Sequence, residues 1–202
     1  MPAEPPARSR NAAATRLAIL RSARSAFARS GYDGVGVREI AKGAGVTAML
    51  INRYFGSKEQ LFAEVVADTM AEPVILTSQN LAAASLSESM AAALVGLTTP
   101  GAAPLDGFMI MYHSAASSRA AEIAREQIER HHQGVMAQAL SGDMAAERAA
   151  LMLSVVAGVQ VMRQMIGLSA LTQADPEALQ KLIAPLLAGL IEPPPPANES
   201  RP

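Results

Sequence analysis

Residues 37–66 read VREIAKGAGVTAMLINRYFGSKEQLFAEVV, and the punctuation of this stretch decides the fold. Gly36 leads into a short helix over about 37–42, with Val37, Ile40 and Ala41 on its inner face. Gly43-Ala44-Gly45 then breaks the chain. Thr47 is a natural N-cap for a second short helix that runs to about Phe55. Ser57 and Gln60 have the S-x-x-Q spacing of a capping box and open a longer helix through Leu61, Phe62, Val65 and Val66. That helix is expected to reach about Met70, with Pro73 ending or kinking it. A break of a few residues is too short for long antiparallel neighbours. It suits two short helices crossing steeply, the helix-turn-helix arrangement.

Upstream, residues 15–30 read as a helix capped by Thr15, with Ile19, Ala23, Ala26 and Phe27 on one face and Gly31 as its stop. Residues 1–13 are rich in Pro, Ala and Arg and read as a disordered arm. Its arginines, Arg8 and Arg10, with Arg16 just beyond, fit either a minor-groove contact or an inert tail. Downstream, helices are expected near 74–97, 105–116, 118–139, 143–168 and 175–191, with Asp143 and Asp175 as N-caps and residues 193–202 as a disordered tail. The expectation is an all-α chain of about nine helices. Its 50% hydrophobic content comes mostly from strong helix formers, and aromatics make up only 3%. Four divisions follow: an arm over 1–13, a helix-turn-helix domain over 14–62, a second helical domain over 63–192 and a tail over 193–202.

Composition also excludes chemistry. With no cysteine there is no disulfide framework, thiolate metal site or cysteine nucleophile. No apolar run long enough to span a membrane is free of charges and breakers, and the N-terminus lacks a secretory pattern, so a soluble cytoplasmic chain is expected. Glu129, His131 and His132 suggest a metal site, but adjacent histidines on a helix point about 100° apart and do not converge on one ion. No glycine-rich phosphate loop or nucleophile triad appears. No enzyme, cofactor or metal is expected.

Charge is divided. Residues 1–66 hold ten Lys/Arg against five Asp/Glu, whereas residues 67–202 hold seven against thirteen. A basic head on an acidic remainder suits a polyanion partner.

The run over 37–66 resembles the DNA-binding domain of the TetR family of bacterial repressors. Ile40-Ala41, Gly45-Val46-Thr47, Phe55, Ser57-Lys58-Glu59 and Leu61 match that family's pattern, and residues 19–34 match its first helix and glycine stop. The resemblance implies that the third helix lies in the major groove, presenting Thr47, Ala48, Met49, Asn52, Arg53 and Tyr54. Thr47, Asn52, Tyr54 and Lys58 fall where family members grip phosphates. The fork of Arg53 suits a guanine, and Ala48 and Met49 suit a thymine methyl. Arg38 is a candidate for flanking backbone or a base edge. Asn52 and Tyr54 stand where the family usually has tyrosine and often histidine, and both replacements keep a hydrogen-bonding group.

The resemblance also implies a helical ligand-binding and dimerisation domain. Residues 143–168 are apolar nearly all round, and about 39 Å of such helix needs burial on every side. With 175–191 it is expected to form a homodimer interface; an internal core helix is the competing account. Met109, Tyr112, His113, Met136, Met152, Gln160 and Arg163 are the candidate contacts for a small apolar ligand. The function expected is a ligand-released repressor binding double-stranded DNA at a pseudo-palindrome. The other reading is a helical small-molecule-binding protein or enzyme that has lost DNA binding.

Overall fold

The computed structural model describes residues 7–71 and 74–192, with side chains from Asn11 onward. Residues 1–6 of the expected arm, Pro73 and the expected tail lie outside the described residues. In chain order the helices are α1 (Ala7–Ser30), α2 (Val37–Gly43), α3 (Ala48–Phe55), α4 (Lys58–Met70), α5 (Ser78–Leu81), α6 (Leu86–Leu97), α7 (Asp106–Ser114), α8 (Ser118–Ile128), α9 (Gly134–Ala139), α10 (Ala145–Gln160), α11 (Ser169–Thr172) and α12 (Pro176–Ile191). π-helical turns over Glu129–Gln133 and Val161–Met165 follow α8 and α10. Among the described residues no strand occurs, so the all-α expectation holds. The chain forms two compact units, Met1–Glu72 with Leu105–Gln127, and Pro73–Pro104 with Ile128–Pro202.

The first unit is built around the predicted helix-turn-helix. Ile19, Ala23 and Phe27 of α1, Ile40 and Ala41 of α2, Ile51 and Phe55 of α3, and Leu61, Phe62 and Val65 of α4 make one buried core. Phe62 meets Phe27 and Tyr32 edge-on, at 5.1 and 5.0 Å between ring centroids. Ile110 of α7 and Ala120 and Ile123 of α8 belong to the same core, although α7 begins more than thirty residues after α4 ends. The turn between α2 and α3 depends on Gly45, whose φ is +68°, and the Val46 N–H donates to the Ala41 carbonyl at 2.9 Å.

The first helix begins at Ala7, eight residues before the expected start. Thr15 is therefore not a cap. Its hydroxyl bonds back to the Asn11 carbonyl at 2.8 Å, as a threonine inside a helix does. The run Asn11-Ala12-Ala13-Ala14 carries the helix through, alanine being the best helix former.

In the second unit α6 packs along α12 over a core of Met90, Leu94, Met136, Met152, Ile183 and Leu187. The expected helix over 74–97 is broken between α5 and α6 by two competing caps. Thr77 accepts from the Asn80 N–H at 3.1 Å and Ser85 from the Glu88 N–H at 3.3 Å. Asp175 caps α12 as expected, accepting from the Ala178 N–H at 2.9 Å. Asp143 does not cap α10. The residue before that helix is Met144, at a left-handed φ of 56°, and the Asp143 carbonyl accepts from Arg148 Nε at 3.0 Å.

Two arginines in this unit are buried. Arg148 donates to the carbonyls of Asp143, Ser141, Leu190 and Ile191. Arg163 donates to the Val95 carbonyl and Thr98 Oγ1, both at 2.8 Å, and to the Leu171 carbonyl at 3.1 Å. Each guanidinium thus satisfies orphan carbonyls at helix ends, and burial pushes the Arg163 pKa below its ordinary value. They lie on or beside the stretch Ala145–Met165, which among the described residues is long and apolar enough to cross a membrane by length and composition. Glu147, Arg148 and Arg163 interrupt it, so no run of that length is free of charges, as the sequence suggests. Alanine and valine outweigh the charges.

Candidate nucleic-acid interface

The second helix of the motif turns only part of its surface inward. Ile51 and Phe55 are buried, which leaves Asn52 and Arg53 exposed on the opposite side. Met49 is 79% exposed, far more than a packing methionine tolerates. Thr47 occupies the N-cap position with extended backbone, yet its hydroxyl makes no cap hydrogen bond and remains exposed. Ala48 and Tyr54 are half-buried and pack against the core of the unit. Arg38, in the first turn of α2, is exposed.

Lys58 opens α4 three residues after α3 ends. Its helix is capped by Ser57, whose Oγ accepts from the Gln60 N–H at 3.1 Å. Only that half of the expected box forms, because the Ser57 N–H goes to the Phe55 carbonyl at 3.0 Å. The Lys58 ammonium sits over the Tyr32 ring, 4.3 Å from its centroid. Burial lowers the Lys58 pKa from the ordinary lysine value, with Asp33 acting in the opposite direction.

Pairing divides the cations of this unit into two groups. Arg24 bonds Asp106 at 2.8 Å, Arg29 bonds Glu39 at 2.6 Å and Arg119 bonds Glu59 at 3.0 Å, while Arg16 pairs with Glu64. Arg16 is thereby held on the unit's own surface, with its guanidinium 4.9 Å from the centre of the Phe55 ring. Among the described residues Arg38, Arg53 and Lys58 have no carboxylate within ion-pair distance. Exposed ion pairs contribute little stability, but they cancel charge. Uncancelled charge thus includes the three cations of the motif, together with Arg21, Lys42 and Arg125 elsewhere in the unit.

The seven candidate ligand contacts divide between the units. Met109, Tyr112 and His113 are on α7 in the first, and Met136, Met152, Gln160 and Arg163 are in the second. His113 Nδ1 is 2.8 Å from the Ala28 carbonyl, and Tyr112 is exposed. Met136 and Met152 are fully buried core side chains. Gln160 is 5% exposed and, among the described residues, makes no side-chain hydrogen bond. Two open surface grooves are lined by other residues: Arg21, Ser25, Arg29 and Lys42 between α1 and α2, and Glu88, Glu177, Gln180 and Lys181 between α6 and α12. Among the described residues no three His, Cys, Asp or Glu side chains come together to hold a metal. Burial, then the neighbouring His131, lowers the His132 pKa.

Sequence reasoning passed over Tyr32. A signal was available: five of the chain's seven aromatic residues, Phe27, Tyr32, Tyr54, Phe55 and Phe62, fall within its first 62 positions. Such a concentration in an aromatic-poor chain marks where rigid packing is spent.

Two family models match the chain. Residues 19–65 match the model of the bacterial regulatory proteins of the tetR family, and residues 84–191 match that of the tetracyclin repressor-like C-terminal domain. No curated protein matches the sequence. Solved structures share the fold. A TetR-family regulator from Streptomyces coelicolor A3 is 21% identical, with 94% of this chain and 99% of that one covered and a TM-score of 0.57. FadR from Bacillus subtilis, solved in complex with stearoyl-CoA, is 16% identical over 87% and 99%, with a TM-score of 0.64. GusR of Salmonella enterica is 17% identical over 88% and 95%, with a TM-score of 0.68.

Proposed function

The chain belongs to the tetR family of bacterial regulatory proteins, and from that premise we propose that it is a homodimeric repressor released from a pseudo-palindromic operator by a small apolar effector. Residues 14–62 are the reading head, and residues 63–192 carry ligand binding and dimerisation. One observation carries the proposal: the exposed side of α3 and the start of α4 hold hydrogen-bonding and cationic groups that the protein itself leaves unused. Thr47 has a spare hydroxyl, Arg53 a spare fork and Lys58 an un-neutralised ammonium. In the roles proposed, Arg53 reads a base edge beside Met49 and Ala48, while Thr47, Asn52, Tyr54 and Lys58 hold phosphates, with Arg38 flanking.

The dimer reading rests on apolar surface left open in a single chain. Leu182 is 69% exposed and Leu186 61% exposed on α12, and Leu151 and Met162 are exposed along the apolar stretch Ala145–Met165. We read this surface as a subunit interface, so the length that would suit a bilayer serves a second copy instead. The effector reading is supported by the Met-rich core of the second unit and by a fold relative that holds stearoyl-CoA. Release is a population shift, since an effector favouring a conformer with misplaced heads lowers operator affinity by its differential binding energy.

The test is a gel shift with DNA from upstream of the gene. A sequence-selective shift at moderate salt, with a symmetric footprint, is expected. No selective shift from well-folded protein favours a helical small-molecule-binding protein or enzyme without DNA binding.

A further inference from the structure

We propose that Tyr32 is a positioning residue for the DNA contact, its ring serving as the platform that holds the Lys58 ammonium toward phosphate without neutralising it. The inference rests on the reading of Lys58 as a phosphate contact. A lysine on a long flexible stem must give up rotamer freedom to make such a contact. A carboxylate partner would restrain it but cancel its charge, as happens to Arg16, Arg24, Arg29 and Arg119 in this unit. An aromatic face attracts a cation through its quadrupole and carries no charge. The Lys58 ammonium lies 4.3 Å from the Tyr32 centroid, within the range of that attraction. Its charge thus stays available to an anion on the side away from the ring.

The platform is itself held rigidly. Tyr32 is 9% exposed, stacked on Phe27 at 6.3 Å and edge-on to Phe62 at 5.0 Å. Its backbone N–H donates to Ser114 Oγ at 3.0 Å, so α7 fixes the ring's root from 82 residues away. The preceding Gly31 has a φ of +68°, and a Cβ there would lie 2.3 Å from the His113 carbonyl oxygen. The end of α7 is therefore flush against the turn that presents the ring. The Tyr32 hydroxyl makes no hydrogen bond among the described residues, so the ring face and not the hydroxyl is the working part.

A double-mutant cycle on a generic mixed-sequence duplex tests this, because phosphate contacts are independent of sequence. Lys58→Ala alone should lower affinity and reduce the salt slope by about 1. If it does neither, the reading of Lys58 fails, and the proposal with it. Tyr32→Phe should behave as wild type. Tyr32→Leu should weaken binding several-fold and reduce the slope, yet add nothing in the Lys58→Ala background. Equal loss in both backgrounds, or no loss in either, overturns the platform role. If Tyr32→Leu does not fold, wild-type NMR decides. The Lys58 ε-methylene protons should be shifted upfield by the ring, and ordinary lysine shifts overturn the proposal.

Discussion

Gly31 and Gly45 share a φ of +68° but not a neighbourhood, and the difference separates two costs of adding one methyl group. A Cβ on Gly45 meets nothing within 4 Å, so Gly45→Ala should cost about 1–3 kcal/mol, the backbone strain alone. A Cβ on Gly31 meets the His113 backbone, which cannot swing aside as a side-chain tip would. Thermal unfolding of the two variants should therefore show the larger fall for Gly31→Ala. Equal falls would mean that α7 is not seated on the turn. Arg53 and Lys58 differ in another way, since Arg53→Ala should lose about 1–3 kcal/mol at one base pair of the operator. A uniform loss across sequences would reassign it to the backbone. The lowered pKa of Lys58 adds a pH dependence. A phosphate stabilises the ammonium, so the complex takes up protons and affinity falls as pH rises toward the ordinary lysine range. Lys58→Arg should flatten that fall, which binding curves across the alkaline range will check.

At the scale of elements, local signals were legible and long-range partners were not. Ile40 and Phe55 are legible as the apolar positions of two short helices, and Gly45 and Val46 identify the turn because each acts on a neighbour a few residues away. Ser57 and Asp175 cap where they were expected to, for the same reason. Ser85-Leu86-Ser87-Glu88 has the same capping spacing, and this local signal starts α6 inside what apolar content alone presents as one helix over 74–97. The placement of α7 could not be read at all. Periodicity says that a helix has an inner face, but not that Ile110 will join the core of a unit formed from the first seventy residues. Buried arginines are similarly opaque, because Arg148 looks like any helical cation until the chain returns at Leu190 and Ile191. Arg148→Met should therefore destabilise the second unit by about 1–3 kcal/mol, through the partly buried carbonyls it leaves without a donor. Chemical denaturation measures this, and a loss below 1 kcal/mol would mean that water replaces the guanidinium.

On the scale of the whole molecule, one head meets one half-site, and the phosphate-dominated affinity of a single small head is modest at physiological salt. Pairing two heads makes the second contact intramolecular and multiplies affinity without any new interaction. The proposed interface supplies that pairing from Leu182 and Leu186, together with Leu151 and Met162. Fully burying a leucine side chain contributes about 1.5–3 kcal/mol, and several such residues from each subunit offset the cost of association. A charge placed there should undo it. Leu182→Glu combined with Leu186→Glu puts carboxylates on a surface that is already exposed in the single chain, so each subunit should keep its fold and its helical circular dichroism. Sedimentation should then show monomers. Operator affinity should fall by two orders of magnitude or more, on the order of what lost multivalency predicts. The salt slope should drop to about half, because one head releases half the counterions. If the double variant stays dimeric with an unchanged slope, the heads are joined through another surface and the open leucines require another partner.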